Sequence, residues 1–290
     1  MQNLHKFESN VLAVRQHWLG YAKLKHLIVF GASYCDVGYT SRSPHPTLED
    51  PLGVEFPGHT WAEPGKANWV GHLITEHSLS PILVHDYAMG GDRVDGVRRQ
   101  IEKDFMPNLA PKPSWAPWRE QDTLFATWVG INDCSYETAE AIPGVVSEVF
   151  KLLSDLYEHG ARNFMLIDLP PVERSPSGPS PENAARMFAN RPPKTTLWNI
   201  ALRTQAETFA AAHDEATVLI YSSWAMFTKV LDAPAAYGFT TDDVRKPAGS
   251  IWVDRLHPTS NMHDVIAHDI AQFLGSIEPP ASSGPGVAQA

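Results

Sequence analysis

A serine near one end of the chain and an aspartate–histidine pair near the other have the residue types of a nucleophilic hydrolase. Ser33 closely follows the apolar run 26–30, and Asp254 and His257 lie three residues apart. A serine hydroxyl becomes a useful nucleophile when a base accepts its proton and a third group orients that base. In a turn of helical pitch, residues three apart share a side. We therefore predict Ser33 as nucleophile, His257 as base and Asp254 as the orienting acid.

Two further segments provide groups that could stabilise an oxyanion. A glycine pair, Gly90 and Gly91, follows one apolar run, and the string Gly-Ile-Asn-Asp ending at Asp133 follows another. Acyl transfer creates an oxyanion, and the loss of one fixed donor to it raises the barrier by roughly 3–4 kcal/mol. We predict the N–H groups of Ser33 and Gly91 and the side-chain amide of Asn132 as these donors. Each string alone is also ordinary turn sequence, so the prediction depends on their conjunction.

The elements that must position these residues alternate along the chain, which predicts a mostly parallel sheet covered on both faces. We expect a three-layer α/β/α sandwich with five strands, whose ligands bind beyond the carboxyl ends of the strands. Apolar and β-branched runs predict strands at 27–30, 82–88, 123–129, 163–169 and 217–221. Helical periodicity predicts helices at 66–77, 145–159, 195–212 and 262–273.

The 290 residues are interpreted as one hydrolase domain at 26–278, with an N-terminal extension at 1–25 and a disordered Pro- and Ser-rich tail at 279–290. Pro-rich stretches at 106–118 and 170–193 are too long for minimal connections. They are either ordered loops or lids over the site, or packed irregular surface without contact to substrate.

The formal net charge of −10 argues against nucleic acid or an anionic membrane as the main partner, so we expect a small-molecule substrate and a monomer. No apolar run resembles a signal peptide, which favours a cytoplasmic or other intracellular location, although a start codon upstream of Met1 would leave secretion open.

Nucleotide-binding and metal-protease motifs are absent, so we predict no cofactor and no metal. Cys35 and Cys134 are interpreted as reduced thiols, with a bond between them as the alternative.

Four blocks of this sequence together resemble the SGNH, or GDSL-type, serine esterases. The blocks are Gly31–Asp36, Tyr87–Gly91, Gly130–Asp133 and Asp254–Pro258, which span nearly the whole predicted fold. The usual Asp of the first block is Ala32 here, which alters the hydrogen bonds near the nucleophile but not the nucleophile itself. The resemblance implies a serine esterase whose catalytic and oxyanion-binding residues are those predicted above.

The tryptophan-rich segment 60–70 and the pair Trp198-Asn199 look like the fungal carbohydrate esterases of family 16. That likeness implies an acetylesterase acting on acetylated sugar, and we expect Trp61 and Gly90 to contact this substrate. Two alternatives remain open: a GDSL-type lipase or thioesterase acting on longer acyl chains, and a catalytically silent carbohydrate-binding protein. The first would prefer longer esters, and the second would bind without turnover.

Overall fold

A computed structural model describes residues 7–281, which form a central sheet of six strands flanked by helices. Neighbouring strands across the sheet follow the order β1-β6-β5-β4-β2-β3, and every pair is parallel except β1 with β6. The strands are β1 (Asn10–Ala13), β2 (His26–Gly31), β3 (Leu83–Asp86), β4 (Thr123–Trp128), β5 (Asn163–Ile167) and β6 (Thr217–Tyr221). The predicted α/β sandwich with a mostly parallel sheet is confirmed.

The strand count corrects the sequence-based prediction, because the sheet has six strands and not five. The additional strand, β1, lies within the predicted N-terminal extension and pairs antiparallel with β6 at the edge of the sheet. It has only four residues, of which only Ala13 is buried. Its apolar run, Val11 to Ala13, is too short to distinguish a strand from irregular structure by sequence pattern, which is why the strand was not predicted.

Nine α-helices occur within the described residues, and two of them continue into π-helical turns. They are α1 (Trp69–His72), extended by the π turn Leu73–His77; α2 (Val94–Arg99), extended by the π turn Gln100–Phe105; α3 (Met106–Asn108); α4 (Ile131–Tyr136); α5 (Ile142–Glu158); α6 (Pro181–Met187); α7 (Lys194–Ala212); α8 (Ser223–Asp232); and α9 (Ser260–Gly275). The four predicted helices are present with shifted ends. Helices α2, α3, α4, α6 and α8 were not predicted.

The order of the strands determines which face each helix covers. The crossover from β2 to β3 runs towards one edge of the sheet, whereas the crossovers to β4, β5 and β6 run the other way. Because parallel crossovers are right-handed, α1 lies on the opposite face from α2, α5 and α7. Helix α9 packs against α1, and α5 packs against α7. The reversal of direction leaves a crevice between the carboxyl ends of β2 and β4, where open α/β sheets bind ligands.

Burial of the central strands follows from this double cover. Every residue of β2, β4, β5 and β6 is buried, as expected when helices pack on both faces of a parallel sheet. Rigid strands with buried side chains fix the positions of the loops that follow them. Residues just after β2 and β4 are therefore held on either side of the crevice.

The remaining predictions on the fold have mixed outcomes. The stretch 106–118 contains α3, and 170–193 contains a 3₁₀ turn and α6, so neither is purely loop. Residues 279–281 have no helix or strand, whereas the rest of the predicted tail, 282–290, lies outside the described residues. Among residues 7–281, none of the helices combines the length and hydropathy that a membrane-spanning helix requires.

Candidate active site

The three residues predicted to perform nucleophilic catalysis meet at the carboxyl edge of the sheet. The Oγ of Ser33 lies 3.0 Å from Nε2 of His257, and Nδ1 of His257 lies 2.7 Å from Oδ2 of Asp254. A carboxylate can only accept, so Nδ1 carries the proton and donates it to Asp254. This tautomer leaves the lone pair of Nε2 for the proton of the Ser33 hydroxyl. The arrangement is that of a serine nucleophile with its base and orienting acid.

The loop that carries His257 is a bend and not the turn of helical pitch predicted from the Asp-x-x-His spacing. Asp254 closes this bend itself, because its Oδ1 accepts from the backbone N–H groups of Leu256 and His257, each at 2.7 Å. Short polar side chains commonly bond to backbone two or three residues ahead in this way. One carboxylate therefore both shapes the loop and orients the imidazole.

The Asp254 side chain is 53% exposed, while that of His257 is 13% exposed. Partial burial raises the pKa of Asp254, but hydrogen bonds from the His257 ring and from the His257 and Leu256 N–H groups outweigh it and place the pKa below its ordinary value. Asp254 is consequently ionised at neutral pH, as an acceptor for the Nδ1 proton must be.

Tyr34 fastens the same loop to the end of β2. Its hydroxyl donates to the backbone carbonyl of Leu256 at 2.6 Å, and its ring lies 6.1 Å from that of His257. Tyr34 directly follows Ser33, and Leu256 directly precedes His257. This hydrogen bond therefore holds the loop of Ser33 against the loop of His257. Sequence reasoning missed this residue, and only its position next to the serine could have drawn attention to it.

The three predicted oxyanion donors are available in this structure. Ser33 N–H and Gly91 N–H have no acceptor among residues 7–281, and the Asn132 amide uses one of its two protons on the carbonyl of Asp92, at 2.9 Å. Gly91 has φ +83° and open space where a side chain would be, a conformation that glycine adopts without strain. The backbone of Gly91 can therefore approach a ligand closely.

Gly90 occupies a different position from Gly91. Its N–H already donates to Oδ2 of Asp36 at 2.7 Å, and a Cβ at Gly90 would come within 2.3 Å of the Trp61 ring. The same Asp36 oxygen accepts from the Trp61 indole N–H at 3.2 Å. Gly90 thus leaves room for Trp61, and its N–H is already used by Asp36. Of the two glycines, it is Gly91 whose backbone N–H is free to donate to a ligand. Direct contact of Gly90 with substrate remains a prediction.

Trp61 lies against His257, the predicted base. Its ring stacks on His257 with centroids 4.9 Å apart, yet 41% of the residue remains exposed. The indole N–H is held by Asp36, whose other oxygen accepts from Gly38 N–H at 2.8 Å. Asp36 therefore positions an exposed aromatic surface beside His257. That surface is suited to contact a flat ligand.

A buried glutamine, which sequence reasoning also missed, links the first and second loops of the site. Gln100 accepts from Gly31 N–H at 3.0 Å and donates to Gly31 O and to Oδ2 of Asp92. Asp92 in turn receives the Asn132 amide on its backbone carbonyl. The loops after β2, β3 and β4 are therefore connected by side-chain hydrogen bonds. A lone glutamine in a helical segment carries no signal that would predict this.

Asp133, next to Asn132, is a buried carboxyl that serves another helix. Its Oδ1 accepts from Val94 N–H at the first turn of α2, while its Oδ2 has no partner among the described side chains and backbone. Burial raises the pKa of Asp133 to about 6, even though the bond from Val94 lowers it. The bond from Val94 satisfies a backbone N–H in the first turn of α2, which is a structural role for this carboxyl.

The raised pKa of Asp133 makes stability depend on pH in a defined direction. Between pH about 4 and 6 the unfolded chain has lost this proton while the folded chain keeps it, so folding becomes less favourable as pH rises. Asp133→Asn can still accept from Val94. Its free energy of unfolding, relative to that of wild type, is expected to rise by about 2 kcal/mol between about pH 4 and pH 8. Urea unfolding at both values measures this. The exposed Asp214→Asn serves as control, and an equal difference at both pH values would contradict the expectation.

Cys35 and Cys134 are both free and buried, as interpreted from the sequence. Burial raises the pKa of each thiol, to about 12 for Cys134 and well above its ordinary value for Cys35. Because the thiolate is the reactive form of cysteine, these thiols are inert at neutral pH. Neither is placed to act as a second nucleophile.

A cavity of about 680 Å³ lies beside the site and not at the triad itself. Residues of α4 and its following loop form one wall, including Ile131 and Cys134, and segment 172–195 forms the other, including Val172 and Phe188. This second segment is joined to the catalytic loop, because Ser177 N–H donates to the carbonyl of Arg255 at 2.8 Å. The Pro-rich stretch 170–193 therefore borders the site on the His257 side.

Comparison with protein families gives one match that spans most of the chain. The family described as GDSL-like lipase/acylhydrolase matches residues 27–270. An acetylesterase from Thermothelomyces thermophilus is 30% identical over 272 residues, which cover 85% of this chain and 87% of that protein. The family match includes Ser33, Gly91, Asn132, Asp254 and His257.

Comparison with solved structures agrees on the fold. A variant of an acetyl-xylooligosaccharide esterase from a Geobacillus species superposes with a TM-score of 0.54 at 15% identity, covering 89% of this chain and 97% of that one. An α/β hydrolase from the metagenome of Lake Arreo gives a TM-score of 0.52 at 15% identity, with 90% and 100% covered. At these identities the likeness establishes the shared architecture.

Proposed function

Because this chain belongs to the GDSL-like lipase/acylhydrolase family and is a carboxylic ester hydrolase, we propose that it removes acetyl groups from carbohydrate through an acyl-enzyme on Ser33. One observation carries the mechanism: the unbroken hydrogen-bonded series Ser33 Oγ, His257 imidazole, Asp254 carboxylate. A carbohydrate-binding protein without activity has no use for this series, so the silent binding module is the weaker alternative.

The reaction proceeds in two halves. As Oγ of Ser33 attacks the ester carbonyl carbon, Nε2 of His257 takes the hydroxyl proton, and the resulting imidazolium is stabilised by Asp254. The carbonyl oxygen becomes an oxyanion, to which Ser33 N–H, Gly91 N–H and the free Asn132 proton donate. His257 then returns its proton to the leaving alcohol oxygen as the bond from carbon to that oxygen breaks. Water then attacks the acyl carbon while His257 takes one of its protons. The bond from that carbon to Ser33 Oγ breaks, His257 returns the proton to Oγ, and the carboxylic acid departs.

Two observations support acetylated carbohydrate as the substrate. The relative from Thermothelomyces thermophilus is an acetylesterase. Trp61 presents an exposed indole beside His257, where the alcohol part of an ester receives its proton, and aromatic surfaces combine an apolar face with a polar edge, as sugar rings require. The substrate we propose is therefore a small-molecule acetyl ester of a sugar, cleaved without a cofactor.

The acyl preference is tested with p-nitrophenyl acetate, butyrate and octanoate, with Ser33→Ala protein as the blank. We expect kcat/KM to fall along this series, with octanoate at least about tenfold below acetate, a loss equivalent to about 1.4 kcal/mol in the barrier. Release of acetate from an acetylated xylooligosaccharide then tests the alcohol part. A preference for octanoate would instead favour the lipase or thioesterase alternative, for which the neighbouring 680 Å³ cavity offers room.

A further inference from the structure

A cluster of metal-ligating side chains lies between the end of the first helical segment and α9, away from the triad. His72 Nδ1, Glu76 Oε1 and Asp264 Oδ1 all lie within 4.8 Å of one another. His72 Nδ1 is 2.7 Å from the Glu76 oxygen and 3.9 Å from the Asp264 oxygen. A second imidazole lies beside Asp264, because His77 Nε2 is 2.6 Å from the same Asp264 oxygen, but it is not among the three groups that lie mutually within 4.8 Å. Three ligating groups thus converge, and His77 holds one of them by a hydrogen bond.

The other nitrogen of His72 shows which atom carries the ring proton. Ser260 Oγ has one proton, which it donates to the carbonyl of Ala67 at 2.8 Å, so towards His72 Nε2, at 2.9 Å, it can only accept. Nε2 therefore carries a proton. In the neutral ring this leaves the lone pair on Nδ1, which faces Glu76 and Asp264. Metal-ligating histidines are typically oriented in this way, by a hydrogen bond from the nitrogen that does not bind the metal.

The cluster therefore has one acceptor too many. His77 can donate to Asp264, but the Nδ1 lone pair of His72 faces the Glu76 carboxylate oxygen at 2.7 Å, and such a pair of acceptors requires a cation between them. That cation is either a second proton on His72 or a metal ion. Tetrahedral zinc with ligands at about 2.0–2.1 Å separates its ligand atoms by about 3.4 Å. The distances from His72 Nδ1, 2.7 and 3.9 Å, lie on either side of this value.

We infer that His72, Glu76 and Asp264 bind one divalent transition-metal ion of the zinc class, with solvent completing its coordination and His77 orienting Asp264. An imidazole with two carboxylates suits zinc, whereas calcium and magnesium prefer oxygen ligands alone. The histidine side chains are mostly buried while the carboxylates are about half exposed, so an ion can enter from solvent. The sequence-based prediction of no metal concerned catalytic motifs, whose ligands are close together in sequence. Here His72 and Glu76 are four residues apart, but Asp264 comes from a distant segment.

The ion has a structural role. It joins the π turn 73–77 and α1 to the first turns of α9, and α9 begins at Ser260, three residues after His257. The same end of α9 is held by Glu63, whose carboxylate accepts from Ser260 N–H at 2.7 Å. A bound ion would fix the position of α9 behind the catalytic loop without contacting substrate. This inference does not depend on the proposed reaction.

Zinc binding to the full chain, treated with EDTA and returned to chelator-free buffer, tests the inference. We expect wild type to bind one equivalent of ZnCl₂ by calorimetry, and its Tm to rise by about 5 °C when zinc exceeds Kd about 100-fold. Asp264→Asn and Glu76→Gln each replace one ligand carboxylate by an amide, and each is expected to weaken binding at least tenfold and to abolish the rise in Tm.

Matched controls separate the cluster from ordinary surface binding. His159→Gln and Glu207→Gln remove an exposed imidazole and an exposed carboxylate elsewhere, and both are expected to bind zinc as wild type does. If wild type binds no zinc, or if Asp264→Asn and Glu76→Gln bind it as well as the controls, the inference is overturned, and the cluster is held together by imidazolium–carboxylate pairs alone.

Discussion

Replacing Ser33 with alanine is expected to lower kcat by a factor of about 10⁴ to 10⁶ while leaving the fold and KM nearly unchanged. The hydroxyl of Ser33 lies 3.0 Å from Nε2 of His257, and without it no acyl-enzyme can form. The Ser33 N–H is retained in alanine, so all three oxyanion donors remain. Any rate of the Ser33→Ala variant above uncatalysed hydrolysis in water would therefore come from those donors and from substrate binding alone.

Steady-state hydrolysis of p-nitrophenyl acetate measures this loss, and the thermal midpoint of each variant shows whether the fold is intact. The decisive comparison is with His257→Ala and the double variant, because residues that act as one unit are not additive. We expect the double variant to be no slower than either single variant. Multiplied losses in the double variant, or a Ser33→Ala protein within tenfold of wild type, would exclude Ser33 as the nucleophile.

The position of Ser33 could be predicted because local sequence determines it. The buried strand that ends at Gly31 is a continuous apolar run, and the sheet is parallel, so the residues just after β2, β3 and β4 meet at one edge. The same local patterns predicted the fifth run, 217–221, with both its ends as the structure has them. Strand ends in a parallel sheet give functional predictions without knowledge of any tertiary contact.

Other features could not be predicted because they arise from contacts between distant segments. Nothing near Trp61 in sequence indicates that its ring stacks on His257. Gln100 bonds to Gly31 through a side chain whose helical position has no distinctive pattern. The unusual position of Gly90 is set by the bulk of Trp61, which only the folded chain brings there. Sequence periodicity describes faces of helices and strands, whereas these contacts depend on how the loops pack.

The role of Asp254 depends on one of these loop geometries. Its two oxygens have separate functions: Oδ1 accepts from two backbone N–H groups and closes the bend, and Oδ2 accepts the Nδ1 proton of His257. Asparagine can perform the first function with its carbonyl oxygen. It cannot perform the second, because its amide nitrogen is a donor. The substitution therefore separates the shape of the loop from the orientation of the base.

Asp254→Asn is expected to lower kcat by a factor of about 10³ to 10⁴ with an unchanged thermal midpoint. Facing an amide N–H, the Nδ1 of His257 must accept, so the ring proton moves to Nε2 and the imidazole can no longer take the proton of Ser33. Kinetics on p-nitrophenyl acetate, with the exposed Asp242→Asn as a matched control, measure the loss. Because the Asp254 side chain is 53% exposed, water could take its place as acceptor for Nδ1. A variant that keeps more than about a tenth of wild-type kcat would show that water does so, and that Ser33 and His257 act as a dyad.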